Sequence, residues 1–524
     1  MTRRLASICA VLGVLTTAPA YLAAETLSVG IRVPPTAFDP QLSGVSSDYA
    51  YNSHVFNMLF YQHATTLQPI PHLATSAKLI DDRTWELQLR RGVKFHNGAD
   101  FTAADVAFTF QRLPNVPNSD RLSANFASPV KKVEIVDPHT VRLITDVPTP
   151  DMVHRLMFVS IICACVGPNP TTEDFNNGKA TIGTGPYKFV EWKRGNQAVL
   201  DRFDGYWGDK PEFERIVLRE MPNDAGRVAA LQAGDVQLID FVPPLDVKRL
   251  KQSQTVTVQS ETSARVIFLQ LDTLRDNSPQ VTDAAGQPMT KNPLKDLRVR
   301  QALKMAVNQD IIISRVMDGL ATKVTQGVPV GIFGHDPKIP AAKVDAAGAR
   351  KLLADAGYPN GFGLTLSCPN DRYVNDADIC QAVGQMWSQI GIKAKIDAAP
   401  KSVFFRRLLN SELSAYLLGW GNNNGMSISF MQDVVATRNK EKARGSWNSV
   451  YSNPALDVEI DRAISAMDPK VQEPLLQAVM AKAVEDVAFI PLHAQQVVLA
   501  TKAGLKAVPR GDEGTLASDV VKTK

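Results

Sequence analysis

Two polar loops carry the side chains best suited to chemistry. The first lies in Leu417-Leu-Gly-Trp-Gly-Asn-Asn-Asn-Gly425, where a strand ending at Trp420 gives way to Asn422, Asn423 and Asn424. Amides both donate and accept hydrogen bonds, so this run suits a tight turn or a neutral polar contact surface. The second is Asn370-Asp-Arg-Tyr-Val-Asn375, in which Arg372 offers a planar fork for a carboxylate and Tyr373 a hydroxyl. Arg32 and Phe38 in the first loop, and Trp447 with Asn448, are further candidates. No catalytic residue is assigned. The chain has no H-E-x-x-H, no G-x-S-x-G, no complete P-loop and no C-x-x-C pair. Gly183-x-Gly185 lacks the third glycine and the helix of a dinucleotide fingerprint. The eight histidines, at 54, 63, 72, 96, 139, 154, 335 and 493, never pair at a ligating helical spacing. No protein-held metal and no cofactor are expected.

The elements that must position these loops read as mixed α/β. Residues 26–32 form a strand, followed by a Pro-rich loop over 33–40 and a helix over 48–59. Residues 77–90 make a hairpin turning at Asp81 and Asp82, with Trp85, Leu87 and Leu89 on its buried face. Residues 92–98 add a strand and turn. Thr102 to Asp105 reads as a capping box opening a helix that aligns Val106, Phe110 and Leu113. Asp224 caps a helix to about Gln232. Helices over 298–307, 346–356 and 376–389 alternate with strands over 364–367, 392–396 and 413–420. Trp85, Phe95, Trp192 and Trp207 read as packing aromatics. Gly98, Gly183 and Gly185 read as turn residues with unusual backbone angles.

The first 24 of the 524 residues read as an export signal. Arg3 and Arg4 precede an apolar run from Leu5 to Thr17, and Ala18-Pro19-Ala20 or Ala23-Ala24 offers the cleavage site. Ile8 before Cys9, so early in that run, argues against a lipid anchor. The formal charge is +4; without the two signal arginines it is near +2, which favours neither nucleic acid nor a membrane surface. Four cysteines remain. Cys368 and Cys380 are the expected disulfide, enclosing the Arg372 loop. Cys163 and Cys165 fall in an apolar run, 158–166, expected as a buried strand with free thiols, because strand residues two apart are poorly placed to bond.

Six blocks, in order, carry a resemblance. They are Trp85-Glu-Leu-Gln-Leu-Arg-Arg-Gly-Val-Lys-Phe-His-Asn-Gly-Ala-Asp-Phe-Thr-Ala-Ala-Asp-Val106, Gly183-Thr-Gly-Pro-Tyr187, Asp204-Gly-Tyr-Trp-Gly208, Leu297-Arg-Val-Arg-Gln-Ala-Leu303, Leu352-Leu-Ala-Asp-Ala-Gly-Tyr358 and Tyr451-Ser-Asn-Pro454. Together the chain resembles the family 5 extracytoplasmic solute-binding proteins of dipeptide, oligopeptide and nickel ABC importers. The resemblance implies a two-lobed periplasmic-binding-protein (Venus-flytrap) fold with a subdomain inserted in the first lobe. Lobe I would comprise 25–47, 181–265 and 488–524, its inserted subdomain 48–180, and lobe II 266–487. It implies a periplasmic monomer that closes on a peptide or peptide-like solute and passes it to ABC permease subunits with a cytoplasmic ATPase.

Peptide-binding members place an aspartate three residues after the matching tryptophan, to receive the peptide's amino group. Here that position is Asn423, and an amide cannot neutralise an ammonium ion. Blocked peptides, opine-like conjugates or sugar-containing solutes fit such a site better, and a metal chelate is a further alternative. The same members use an Arg and a Tyr of the loop matching 370–375 against the ligand carboxylate. A secreted hydrolase on a similar scaffold is the rival class, without a nucleophile motif to support it.

Overall fold

The computed structural model describes residues 25–119, 122–439, 444–448 and 450–523; the expected signal peptide lies outside the described residues. The long strand Val256–Leu271 runs antiparallel to Ile490–Lys502, and this pair joins the two halves of one twelve-stranded mixed sheet. On one side the sheet continues through Leu238–Ile239, Thr26–Ile31, Arg215–Glu220, Gln197–Arg202 and Tyr187–Lys193. On the other it continues through Ala415–Gly421 and Gly363–Pro369, which Lys393–Ala399 and Val281–Thr282 flank.

Parallel neighbours need crossovers, and helices supply them. Asp224–Ala233 connects two strands that both run parallel to Thr26–Ile31. Asp376–Ser388 connects Gly363–Pro369 to its parallel partner Lys393–Ala399. The joining pair itself breaks register between Thr262 and Val266. There Ser263, Ala264 and Arg265 stand opposite Gln495 alone. Such a bulge bends a strand and re-aims its side chains.

Each half has its own core. Leu27, Tyr51, Ile216 and Leu499 belong to one cluster of the first half. In the second half, one cluster contains Leu303, Trp387 and Leu417, and another contains Phe268, Phe430 and Phe489. A separate cluster, including Leu87, Phe95, Val106, Phe110 and Leu143, packs on the four-stranded sheet formed by Ala74–Asp81, Thr84–Leu89, Thr140–Thr145 and Val130–Asp137. Its helix Ala103–Arg112 opens with the expected capping box, the Thr102 amide donating to Asp105 Oδ2 at 2.8 Å.

Several expectations change. The helix expected over 48–59 stops early, as Ser46–Asn52, because the His54 and Val55 carbonyls accept bonds from the Tyr187 and Gly185 amides instead. Gly183 and Gly185 are therefore close-approach residues, not residues of unusual backbone angle. A Cβ on Gly183 would lie 1.8 Å from the Val55 carbonyl oxygen. Residues 92–98 form a turn closed by a bridge between Lys94 and Asp100, not a strand. The cap of Asp224–Ala233 is Asn223, whose Oδ1 accepts the Gly226 amide at 2.7 Å.

The apolar run 158–166 is not a strand. It makes one isolated bridge, Ser160 with Met58, in which the Ile161 amide donates to the Asn57 carbonyl, and beyond it the amides of Ile162 and Ala164 donate to Thr109 Oγ1 and Asp105 Oδ1. The chain then turns through Ala164–Val166. That turn brings the Cα atoms of Cys163 and Cys165 to 5.0 Å, and the two form a disulfide rather than free thiols. Cys368 and Cys380 form the second, with both side chains fully buried.

Candidate functional site

Strand Ala415–Gly421 ends against the bulge of the joining pair, Gly421 opposite Arg265. The loop that follows leaves this strand end and meets the first half of the molecule. Asn423 donates from Nδ2 to Ser46 Oγ at 2.9 Å, and its carbonyl receives the Gln62 side-chain amide. Gln68 Nε2 donates to the Gly425 carbonyl at 3.2 Å. Leu67, in the same turn as Gln68, is buried in the cluster that holds Phe268 and Phe430. The Asn loop therefore lies where the two halves touch.

Asn422 is fully buried and donates from Nδ2 to the Ala264 and Gly327 carbonyls, both at 3.1 Å. Its Oδ1, and that of Asn423, are buried and have no hydrogen-bond partner among the described residues. Buried acceptors normally have partners, so each is an open position for a donor. Asn424 Oδ1 accepts the Met426 amide at 3.3 Å and faces Ser429 Oγ, which also accepts from Trp420 Nε1 at 3.3 Å. Trp420 packs edge-on against Trp447, their centroids 6.5 Å apart, and Phe405 stands 5.5 Å beyond Trp447. Three half-buried aromatics thus flank the amide run.

The second loop approaches from the neighbouring strand. Tyr373 is buried, and its hydroxyl donates to the Gly419 carbonyl at 3.2 Å, which pins residues 370–375 to the strand carrying Trp420. Only glycine fits at 419, since a Cβ there would meet the Tyr373 ring at 2.7 Å. The Arg372 guanidinium lies 5.2 Å over that ring. Its side chain reaches solvent, yet neighbouring atoms crowd the charged group. Lost hydration and the nearby Arg265 push its pKa down.

Arg265 and Glu513 complete the cluster, and sequence reasoning missed both. Arg265 Nη2 stands 2.7 Å from Glu513 Oε2, and Ser263 Oγ donates to Oε1 at 3.0 Å. Burial would raise the Glu513 carboxyl, but Arg265 and Arg372 outweigh it and hold it below the usual carboxylate range. Arg265 precedes the apolar run Val266 to Leu269, and a cation next to a buried stretch of strand was the signal available. Glu513 gave none. The nearby acid Asp512 is taken up by Arg510 at 2.8 Å. Among the described residues, no carboxylate pairs directly with the Arg372 guanidinium.

The remaining candidates sit apart from this cluster. Phe38 is fully buried among Tyr51, Phe189 and Trp192, with the nearest centroid at 4.9 Å. Asn448 is also buried, and its amide is saturated locally. It donates to the Val435, Ala436 and Tyr451 carbonyls and accepts from the Val450 and Tyr451 amides. Arg32 lies near Asp224, at 3.6 Å, and 5.8 Å over Phe241, but within electrostatic range of Arg372. Among the described residues, no group of three or more His, Cys, Asp or Glu side chains is placed to hold a metal ion.

Amides, an indole and a guanidinium are thus gathered at strand ends and in the loops that follow them, along the seam between the two halves. The chain belongs to the bacterial extracellular solute-binding proteins, family 5, whose model matches residues 68–442. It is 27% identical over 456 residues to the dipeptide-binding protein of Escherichia coli (strain K12), covering 81% of each chain. HbpA2 from Haemophilus parasuis has the same fold, with a TM-score of 0.80 at 23% identity over 95% of this chain and all of that one. So has the binding protein AgaA of A. tumefaciens R10, in complex with agropinic acid, with a TM-score of 0.73 at 22% identity over 95% and 99%. The fold is thus the two-lobed one, and solute capture for an ABC importer is the function of the class.

Proposed function

We propose that this chain captures a peptide-like solute that carries a carboxylate and lacks a free α-ammonium group. Trp420, Asn422, Asn423, Asn424, Arg372, Tyr373 and Trp447 form its contact surface in this reading, with Arg32 at the edge and Arg265 behind. The observation that carries the proposal is the charge balance. Arg372 stands beside an arginine whose acid partner is already engaged, while an amide occupies position 423. An ammonium ion brought there would face cations and amides, whereas a carboxylate would relieve Arg372. The two open amide oxygens, on Asn422 and Asn423, favour a ligand with neutral N–H or O–H donors.

The solute would lie between lobe I (25–47, 181–265 and 488–524, with its inserted subdomain 48–180) and lobe II (266–487). Distinct clusters around Leu87, Ile216 and Trp387 support that division in outline, with Tyr51 and Phe175 packing beside Leu27, and Phe489 and Ile490 packing in the lobe II clusters. After cleavage of its signal peptide the chain would work as a periplasmic monomer, handing the solute to permease subunits powered by a cytoplasmic ATPase. One relative is named for dipeptide binding and one structure of the same fold holds agropinic acid, so the class takes more than one kind of solute. Calorimetry with a matched set tests the reading: one dipeptide free at both ends, one N-acetylated, one N-acetylated and C-amidated. Binding of the N-acetylated acid alone is expected. Preference for the free amine overturns the charge argument.

A further inference from the structure

The two disulfides differ in ways their shared chemistry does not explain. Cys368 and Cys380 are both fully buried and twelve residues apart. Cys163 and Cys165 are two residues apart, and while Cys163 is buried, Cys165 is exposed at the surface of the inserted region. Bridging over the single residue Ala164 restricts the unfolded chain little. Its loss therefore costs the fold less than loss of the longer Cys368–Cys380 loop would. Exchange also needs access to one sulfur, and only Cys165 gives it.

We propose that Cys163–Cys165 is an exchangeable disulfide, opened by low-molecular-weight thiols while Cys368–Cys380 stays closed. A thiolate attacks the Cys165 sulfur and forms a mixed disulfide there. The bond to Cys163 breaks, and Cys163 leaves with the electron pair and takes a proton from water. A second thiolate attacks the sulfur of the bound thiol, releasing Cys165 as a thiolate that is protonated. Two small thiols are thereby oxidised to their disulfide, and the protein pair is reduced to two thiols.

The surroundings suit this direction of attack. The Cys165 amide donates to Cys163 Sγ at 3.2 Å, a bond that stabilises sulfur as it leaves as thiolate. Asn97 Nδ2 lies 3.2 Å from Cys165 Sγ and keeps that sulfur at the surface. The Ala164 amide is held by Asp105 Oδ1 at 2.8 Å, and Ile162 by Thr109, so the turn has anchors that do not depend on the S–S bond. Opening therefore leaves the segment in place.

The test is a redox titration of the folded, oxidised full chain in graded mixtures of reduced and oxidised glutathione. Thiols are trapped by alkylation and mapped by peptide mass spectrometry. Labelling of Cys163 and Cys165 is expected at a reduced-to-oxidised ratio that leaves Cys368 and Cys380 unlabelled, with the glutathione adduct on Cys165. Simultaneous opening of both pairs overturns the proposal. So does a Cys163–Cys165 pair that stays closed until denaturant is added, or that never forms on oxidation. Single variants give an independent check: oxidised glutathione should modify C163S at Cys165 and leave C165S unmodified. Equal modification of the two contradicts the assigned point of attack.

Discussion

Arg265 and Glu513, 248 residues apart in sequence, form a two-point ion pair at 2.9 and 2.7 Å across the bulge where the two joining strands change register. Both side chains are about one-tenth exposed. Glu513 sits in the left-handed region, with φ of 67°, in a segment whose neighbour Gly511 also bonds to Ala264 and to Ala64. The C-terminal segment thus ties the bulge to the turn that carries Leu67.

Glu513→Gln should be strongly destabilising, because it leaves Arg265 buried with no opposing charge. Breaking one side of a buried pair costs about 3–5 kcal/mol, read as a lower midpoint in chemical denaturation. Because the folded pKa of Glu513 is depressed, its stabilisation is present above the ordinary carboxylate range and is lost as pH falls through the lowered value. The variant should lack that acid-side loss. A midpoint unchanged by the substitution would show that the pair holds nothing together.

A second pH dependence comes from His493. Its ring is fully buried, neither nitrogen has a partner among the described residues, and burial pushes its pKa down to about 3. The unfolded chain therefore binds a proton there that the folded chain refuses. Stability should fall as pH drops below the ordinary histidine value of about 6.5, by about 1.4 kcal/mol per pH unit once the unfolded imidazole is charged. His54, His72, His96 and His154, pushed down to about 4, add to this slope, while Asp240 and Asp433, pushed up to about 6, oppose it. His493→Leu should flatten the slope between pH 6 and 4.5 by that single contribution. Parallel pH–stability curves for variant and parent would exclude it.

How far the sequence could be read depended on range. The capping box of Thr102 and Asp105 lies within four residues, and its spacing alone gave it away. Arg372 and Tyr373 were singled out through the family resemblance, and the structure stacks the one 5.2 Å over the ring of the other. The seat of Tyr373 on Gly419 and the partner of Arg265 were not, because strand order and bulge position decide them. Cys163 and Cys165 were misread because an apolar run looks the same whether its amides are satisfied by a ladder or, as here, by Asp105, Thr109 and Asn57. Phe38 and Asn448 looked available because sequence does not show that packing and carbonyls already use them.

Gly419→Ala tests the support of the arginine loop. The added methyl would sit 2.7 Å from the Tyr373 ring and 2.6 Å from Ile267 Cδ1. Overpacking of this kind costs about 1–3 kcal/mol and should displace Tyr373, weakening ligand binding together with stability. Full affinity in a stable variant would show that Tyr373 does not position Arg372.

Asn423→Asp should shift preference towards solutes with a free amine, by about tenfold for a charge-assisted bond of roughly 1.5 kcal/mol. Competition between free and N-acetylated forms of one dipeptide measures the ratio. A ratio equal to that of the parent protein would remove position 423 from the site.

Capture between two lobes is tested most directly by small-angle X-ray scattering on protein stripped of solute and then reloaded with the compound recovered from it. Contraction of the radius of gyration on loading, with the compound recovered chemically unchanged, is the predicted result. Identical scattering profiles at saturating solute, or conversion of the compound to a product, would contradict the account.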